Sequence, residues 1–188
     1  MKKGVSQTRD MILCGMFAAL IAAGAFIKIP IPVVPFTLQF LFTTLAGLFL
    51  GGKLGALSVC LYIGVGLMGL PVFASGGGPA YVLQPSFGYL IGFVLGTWLT
   101  GTMAHGKQGN PSDKQLFAAC FAGLLVVYAC GMAYYWMIST FYLGTGIGLF
   151  PLFLYCFVLA VPGDIVLCLV SVALGKRLLP VLCRETAV

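Results

Sequence analysis

Charge is what this chain has least of. Among 188 residues stand 10 Lys+Arg, 4 Asp+Glu and one His, so 7% of positions are charged, where soluble domains carry about 25%. Apolar residues fill 61%. So little charge cannot solvate the surface of a water-soluble fold; lipid is the solvent, and most soluble enzymes and nucleic-acid binders are excluded. The shortage of acids also excludes membrane enzymes that hold metal ions on clustered carboxylates. A single His, His105, provides neither an intramembrane nucleophile–base pair nor a His-based metal set. The seven cysteines include no C-x-x-C pair, and in their apolar runs they read as small buried hydrophobes. Neither an enzyme activity nor a cofactor is expected.

The few charges divide the chain into long neutral stretches over 11–27, 29–52, 54–106 and 115–163. A helix needs about 20 residues to cross the hydrocarbon, so each of the two longest stretches should hold two spans. Pro71 with the Gly76-Gly77-Gly78-Pro79 run divides one of them. Gly144, Gly146, Gly148 and Pro151 divide the other. The expected architecture is a single all-α membrane domain over 1–188, with six transmembrane helices at 11–27, 36–50, 54–70, 87–104, 116–138 and 151–174. Lys2, Lys3, Arg9, Lys53, Lys107, Lys114, Lys176, Arg177 and Arg184 then share the side of the termini, and Lys28 alone faces the other. The positive-inside rule places both termini in the cytoplasm of a multi-pass cell-membrane protein. Cleavage of the first span as a signal peptide, at the small residues Ala23-Gly24-Ala25, would spoil this asymmetry, so the span is expected to be retained.

Two spellings imitate nucleotide sites. Gly64-x-Gly66-x-x-Gly69 lacks a preceding strand, and the G-x-x-x-x-G-K at 47–53 has Leu54 where a magnesium-binding hydroxyl belongs. Both read as helix packing. Gly47, Gly51 and Gly55 form a ridge expected to pack inside the bundle. Ala18 and Ala22, with Ala19 and Ala23 beside them, form small-x-x-x-small patterns suited to close helix approach. Tyr134, Tyr135, Trp136 and Tyr142 read as an interfacial aromatic belt.

Recognition remains. Asp164 follows Pro162-Gly163 inside an apolar run, where a charge costs about 2.5–3.5 kcal/mol on insertion scales. It is expected to line a ligand cavity, to cap a helix restarted after Pro-Gly, or to do both. The Pro30-x-Pro32 segment, with Pro35, should form an extended outer cover. The uncharged stretch from Phe73 to Gly88, carrying Tyr81, Gln84 and Ser86, suits a lid over a small ligand.

These residues resemble a known family. Pro35-Phe36-Thr37-Leu38-Gln39, Gly69-Leu70-Pro71-Val72-Phe73, Gln84-Pro85-Ser86-Phe87-Gly88-Tyr89 and Val161-Pro162-Gly163-Asp164 all look like BioY. BioY is the biotin-specific substrate-binding (S) component of energy-coupling factor (ECF) transporters. The resemblance implies a six-helix protein that captures biotin from outside and works with a coupling transmembrane protein and a pair of ATPases, with no nucleic acid involved. It implies ligand contacts from Asp164, Gly76, Tyr81, Gln84, Tyr89 and Gln39, with Lys28 as the outer-side cation. Ala18 and Ala22 would face the coupling protein. Family members commonly carry Lys where this chain has Leu167, and some carry Arg where it has Leu90. Binding is therefore expected to depend less on the ligand's free carboxylate than in a Lys-containing homologue. The alternatives are an S component for a related vitamin, an intramembrane enzyme, or a structural subunit without ligand.

Overall fold

The structure, a computed structural model, describes residues 2–29, 36–106, 111–144, 154, 157 and 160–185, with side chains between 7 and 177. Among the described residues stand the α-helices α1 (Lys2–Phe26), α2 (Gln39–Leu67), α3 (Phe87–His105), α4 (Asp113–Phe141) and α5 (Val161–Glu185). Among the described residues, α2, α3, α4 and the Gln7–Phe26 part of α1 are long and apolar enough to cross a membrane. The expected outer cover at 30–35, the glycines 146 and 148, and most of 151–160 lie outside the described residues.

The second and third expected spans are joined in α2, which reverses at Gly51. There φ is +79° and ψ 175°, a backbone that glycine adopts without the clash a Cβ would bring. The chain folds back so tightly that a Cβ on Gly55 would lie 2.9 Å from the Ala46 carbonyl oxygen. Farther along, the Gln39 amide reaches the Tyr62 hydroxyl at 2.7 Å. The ridge expectation is thereby corrected in part: Gly47 and Gly55 pack against backbone, whereas Gly51 makes the turn. The 47–53 spelling is that reversal, with no sheet around it.

Around α2 the other helices form a bundle, in which α1, α3 and α5 pack on α2 while α4 packs on α3 and α5. Small residues make the seams. Gly88, Gly92 and Gly96, one turn apart on α3, face Tyr134, Val127 and Gly123 of α4 so closely that no Cβ would fit without movement. In lipid, where apolar surface gains nothing by leaving solvent, such close approach and interhelical hydrogen bonds hold helices together. Thr97 Oγ1 donates to the Thr43 carbonyl at 3.2 Å and Thr100 Oγ1 to the Ala119 carbonyl at 3.1 Å.

His105, Asp113 and Lys176 gather at one end. His105 lies against the Gly51 turn, Gln115 Nε2 ties the start of α4 to the Met103 carbonyl, and Lys176 pairs with Asp113 at 2.6 Å. That pair is exposed and adds little stability. Ser112 caps α4, its hydroxyl accepting from the Gln115 amide. At the opposite end, β1 (Lys28–Ile29) pairs antiparallel with β2 (Phe36–Thr37). A 3-10 turn over Pro79–Leu83 leads into α3.

Candidate functional site

The end away from the Lys176–Asp113 pair holds a cavity with about 680 Å³ of free space, its mouth included. Four helices and two loops supply its wall. Phe36 and Thr37 come from β2, Gln39 and Phe40 from the start of α2, and Tyr81 and Ser86 from the 3-10 turn and its exit. Tyr89, Leu90 and Phe93 follow on α3, with Val127 and Tyr128 on α4 and Asp164 on α5.

Local chemistry explains each placement. A Cβ on Gly163 would lie 2.7 Å from the Phe36 ring, so the Pro162-Gly163-Asp164 sequence lets the β2 cover rest on the start of α5. Tyr81 is held by Phe73, ring centroids 4.4 Å apart, and Phe73 in turn meets Tyr62 edge-on at 5.4 Å. The Ser86 hydroxyl donates to the Tyr81 hydroxyl at 3.3 Å. Gln39 is buried and fixed at both ends: its Oε1 accepts from Thr37 Oγ1 at 3.2 Å and its Nε2 donates to Tyr62. Tyr62 passes its own proton toward the Val72 carbonyl at 3.1 Å. The relay ties the β2 cover to α2 and to the 72–78 turn.

Asp164 lies in the first turn of α5, where the helix dipole favours a negative charge. Its side chain is 8% exposed, and Oδ2 accepts from the Tyr128 hydroxyl at 2.5 Å. The carboxylate thus bonds to a side chain of another helix, and among the described residues no backbone N–H caps onto it. Among the described residues the only ion pair is that of Lys176 with Asp113, so no cation offsets Asp164.

Of the residues expected at the site, Asp164, Tyr81, Tyr89 and Gln39 come together on the cavity wall. Three others stand elsewhere. Gly76, at φ +122°, closes a tight turn in which it exchanges two backbone hydrogen bonds with Phe73. Gln84 is exposed. Lys28 Nζ donates to the Ala74 carbonyl at 2.7 Å, strapping the hairpin to a residue of the cavity rim. On α1, Ala18 faces the core at 9% exposure and Ala22 packs against it. The outward positions of that pattern are Ala19 and Ala23, beside Gly15. The aromatic-belt reading also changes for Tyr134, whose hydroxyl donates to the Val82 carbonyl and anchors the 3-10 turn.

Sequence reasoning missed Tyr128, Phe36 and Phe93, while Ser86 entered only as part of the expected lid. Tyr128 carried a usable signal, since a phenol in the middle of an apolar span needs a hydrogen-bond partner.

Comparison with known proteins gives a consistent result. The BioY family model matches residues 1–184. A probable biotin transporter BioY of Lysinibacillus sphaericus is 44% identical over 182 residues, covering 97% of this chain and 92% of its own length. The biotin transporter BioY of Thermotoga maritima is 46% identical over 125 residues, 66% of this chain and 72% of its own. Among solved structures, the S-component for biotin from an ECF-type ABC transporter superposes with a TM-score of 0.75 at 27% identity, covering 92% of both chains. With its family signature running almost from end to end, the chain belongs to the BioY family.

Proposed function

We propose that this chain is a biotin-binding S component that captures biotin and supports its uptake through an ECF-type transporter. One observation carries the reading: a buried carboxylate, Asp164, paired with no cation among the described residues, lies on the wall of a largely aromatic and apolar cavity. Biotin fits that chemistry. Its ureido ring offers N–H donors to the carboxylate in charge-assisted bonds, and its thioether ring meets the faces of Phe36, Tyr81 and Tyr89. Gathering of the inner-side cations at the end opposite the cavity supports six crossings, both termini in the cytoplasm and capture from outside. The Gly51 reversal supports counting α2 as two of them.

Equilibrium binding of biotin to purified, detergent-solubilised protein tests the reading. Saturable, tight binding is expected; a well-folded protein that binds no biotin overturns it, and related vitamins are then the ligands to screen. Lys28 is engaged with Ala74 at the rim, so biotin and its neutral carboxamide are expected to differ less than about tenfold, the worth of one charged hydrogen bond. A larger loss with the amide would assign a cation to the ligand's carboxylate.

Energy comes from partners in this reading, a coupling transmembrane protein and a pair of ATPases. The docking face falls on Ala19 and Ala23, because these are the exposed small residues of α1. Ala23→Trp is expected to keep biotin binding and abolish coupled uptake in cells that express the ECF module. Unchanged uptake would remove α1 from the interface.

A further inference from the structure

A buried carboxylate without a cation needs some other donor to keep it in place, and the donor here is a phenol. Tyr128 is 3% exposed and Asp164 8%. They come from α4 and α5, and both line the cavity. The Tyr128 ring is itself confined, meeting Tyr89 edge-on at 6.1 Å and 87° and Phe157 at 5.3 Å and 74°. A ring held between two others has little freedom to swing its hydroxyl away, so the 2.5 Å bond to Oδ2 fixes the carboxylate plane as well. One oxygen is thereby committed to the protein. The other, Oδ1, accepts no hydrogen bond from any described residue.

We propose that Tyr128 is a positioning residue, which occupies Oδ2 of Asp164 so that Oδ1 is presented to an N–H donor of the ligand. The phenol does what a neighbouring ammonium group would do in orienting the carboxylate, but it adds no net charge. The site therefore gains no positive charge and selects a ligand by directed N–H groups. This deepens the biotin reading and rests on it.

Replacing the phenol by phenyl, Tyr128→Phe, keeps the ring and removes only the bond. Two probes separate positioning from packing: biotin, and 2-iminobiotin, whose guanidinium is cationic at neutral pH and can donate to both carboxylate oxygens at once. Loss of the phenol should weaken biotin by about tenfold or more, the usual effect of deleting a hydrogen bond to a charged group. The guanidinium analogue should lose less than about threefold, because it takes over the vacated Oδ2. The ratio of the two affinities thus moves toward the analogue. A merely structural role would weaken both ligands alike, and that result, or no loss for either, overturns the proposal.

Infrared difference spectra of the wild-type protein give a test that needs no Tyr128 variant. On biotin binding, carboxylate bands that are missing in Asp164→Asn should shift while the phenol C–O band of Tyr128, read in protein ring-labelled at that one tyrosine, holds still. A Tyr128 band that shifts with them would mean the phenol lets go on binding, against the proposal. A wild-type protein that binds neither ligand overturns the biotin reading itself, a result distinct from an unchanged affinity ratio.

Discussion

Asp164→Asn is expected to weaken biotin binding by about a hundredfold or more while the protein remains folded. The side-chain volume is almost unchanged, so the cavity wall stays filled. What changes is the hydrogen-bond inventory. An amide has one acceptor oxygen and two N–H donors, whereas a carboxylate accepts at both oxygens. Tyr128 holds one acceptor position, so in the variant it claims the amide oxygen and turns the NH₂ toward the ligand. A ureido N–H then meets a donor in a dry site. The loss combines a charge-assisted bond of about 1.5–3 kcal/mol with a donor left unpaired, about 1–3 kcal/mol more, and each 1.4 kcal/mol is tenfold. Biotin titration of the purified variant, alongside size-exclusion elution matching wild type, decides it. An affinity within threefold of wild type would move the ligand's ureido ring elsewhere in the cavity.

The largest stability effect is expected at Gly101. A Cβ there would lie 2.4 Å from the Gly52 nitrogen, 2.5 Å from the Gly51 carbonyl carbon and 2.7 Å from the Gly47 oxygen. All three are backbone atoms of the α2 reversal, and none can move aside as a side-chain tip can. Gly101→Ala should therefore force α3 off α2 and cost about 1–3 kcal/mol, despite the helix propensity alanine gains. Gly15→Ala is the control. Nothing lies within 4 Å of its added methyl, so only the propensity gain of about 0.5–1 kcal/mol remains. Thermal unfolding in detergent should move the two variants in opposite directions, roughly 2–4 °C per kcal/mol for a chain of this length. Biotin binding by the folded fraction of Gly101→Ala is expected to match wild type, since Gly101 packs at the charged end. Equal melting points for the two would disprove the close seam.

Particular residues show why part of the site was legible in advance. Asp164 stood out because an ionisable group inside an apolar run is costly wherever it lies. Tyr81 and Tyr89 stood out because aromatics in an uncharged, glycine-rich outer stretch suit a ligand cover better than open solvent. Gln39 came with the family motif, and its burial in the relay from Thr37 to Tyr62 is a separate finding. Gly76, Gln84 and Lys28 belonged to the same stretches, yet they shape the turn, face outward or strap the rim. Composition of a loop does not say which of its residues turn inward.

By itself the sequence determined the solvent, the approximate helix boundaries as far as Phe141 and the one carboxylate that must be accounted for. Those follow from single-residue transfer energies and from where charges and helix breakers fall, which are local properties. Only the tertiary structure decided that α2 reverses on Gly51, that Ala19 and Ala23 rather than Ala18 and Ala22 face outward, and that Tyr128 holds Asp164 from 36 residues away. Each depends on which helix faces which across the bundle. In lipid that choice is set by close backbone approach at glycines and by a few interhelical hydrogen bonds, and a four-residue spacing of small residues marks a close-packing face without saying which helix it meets.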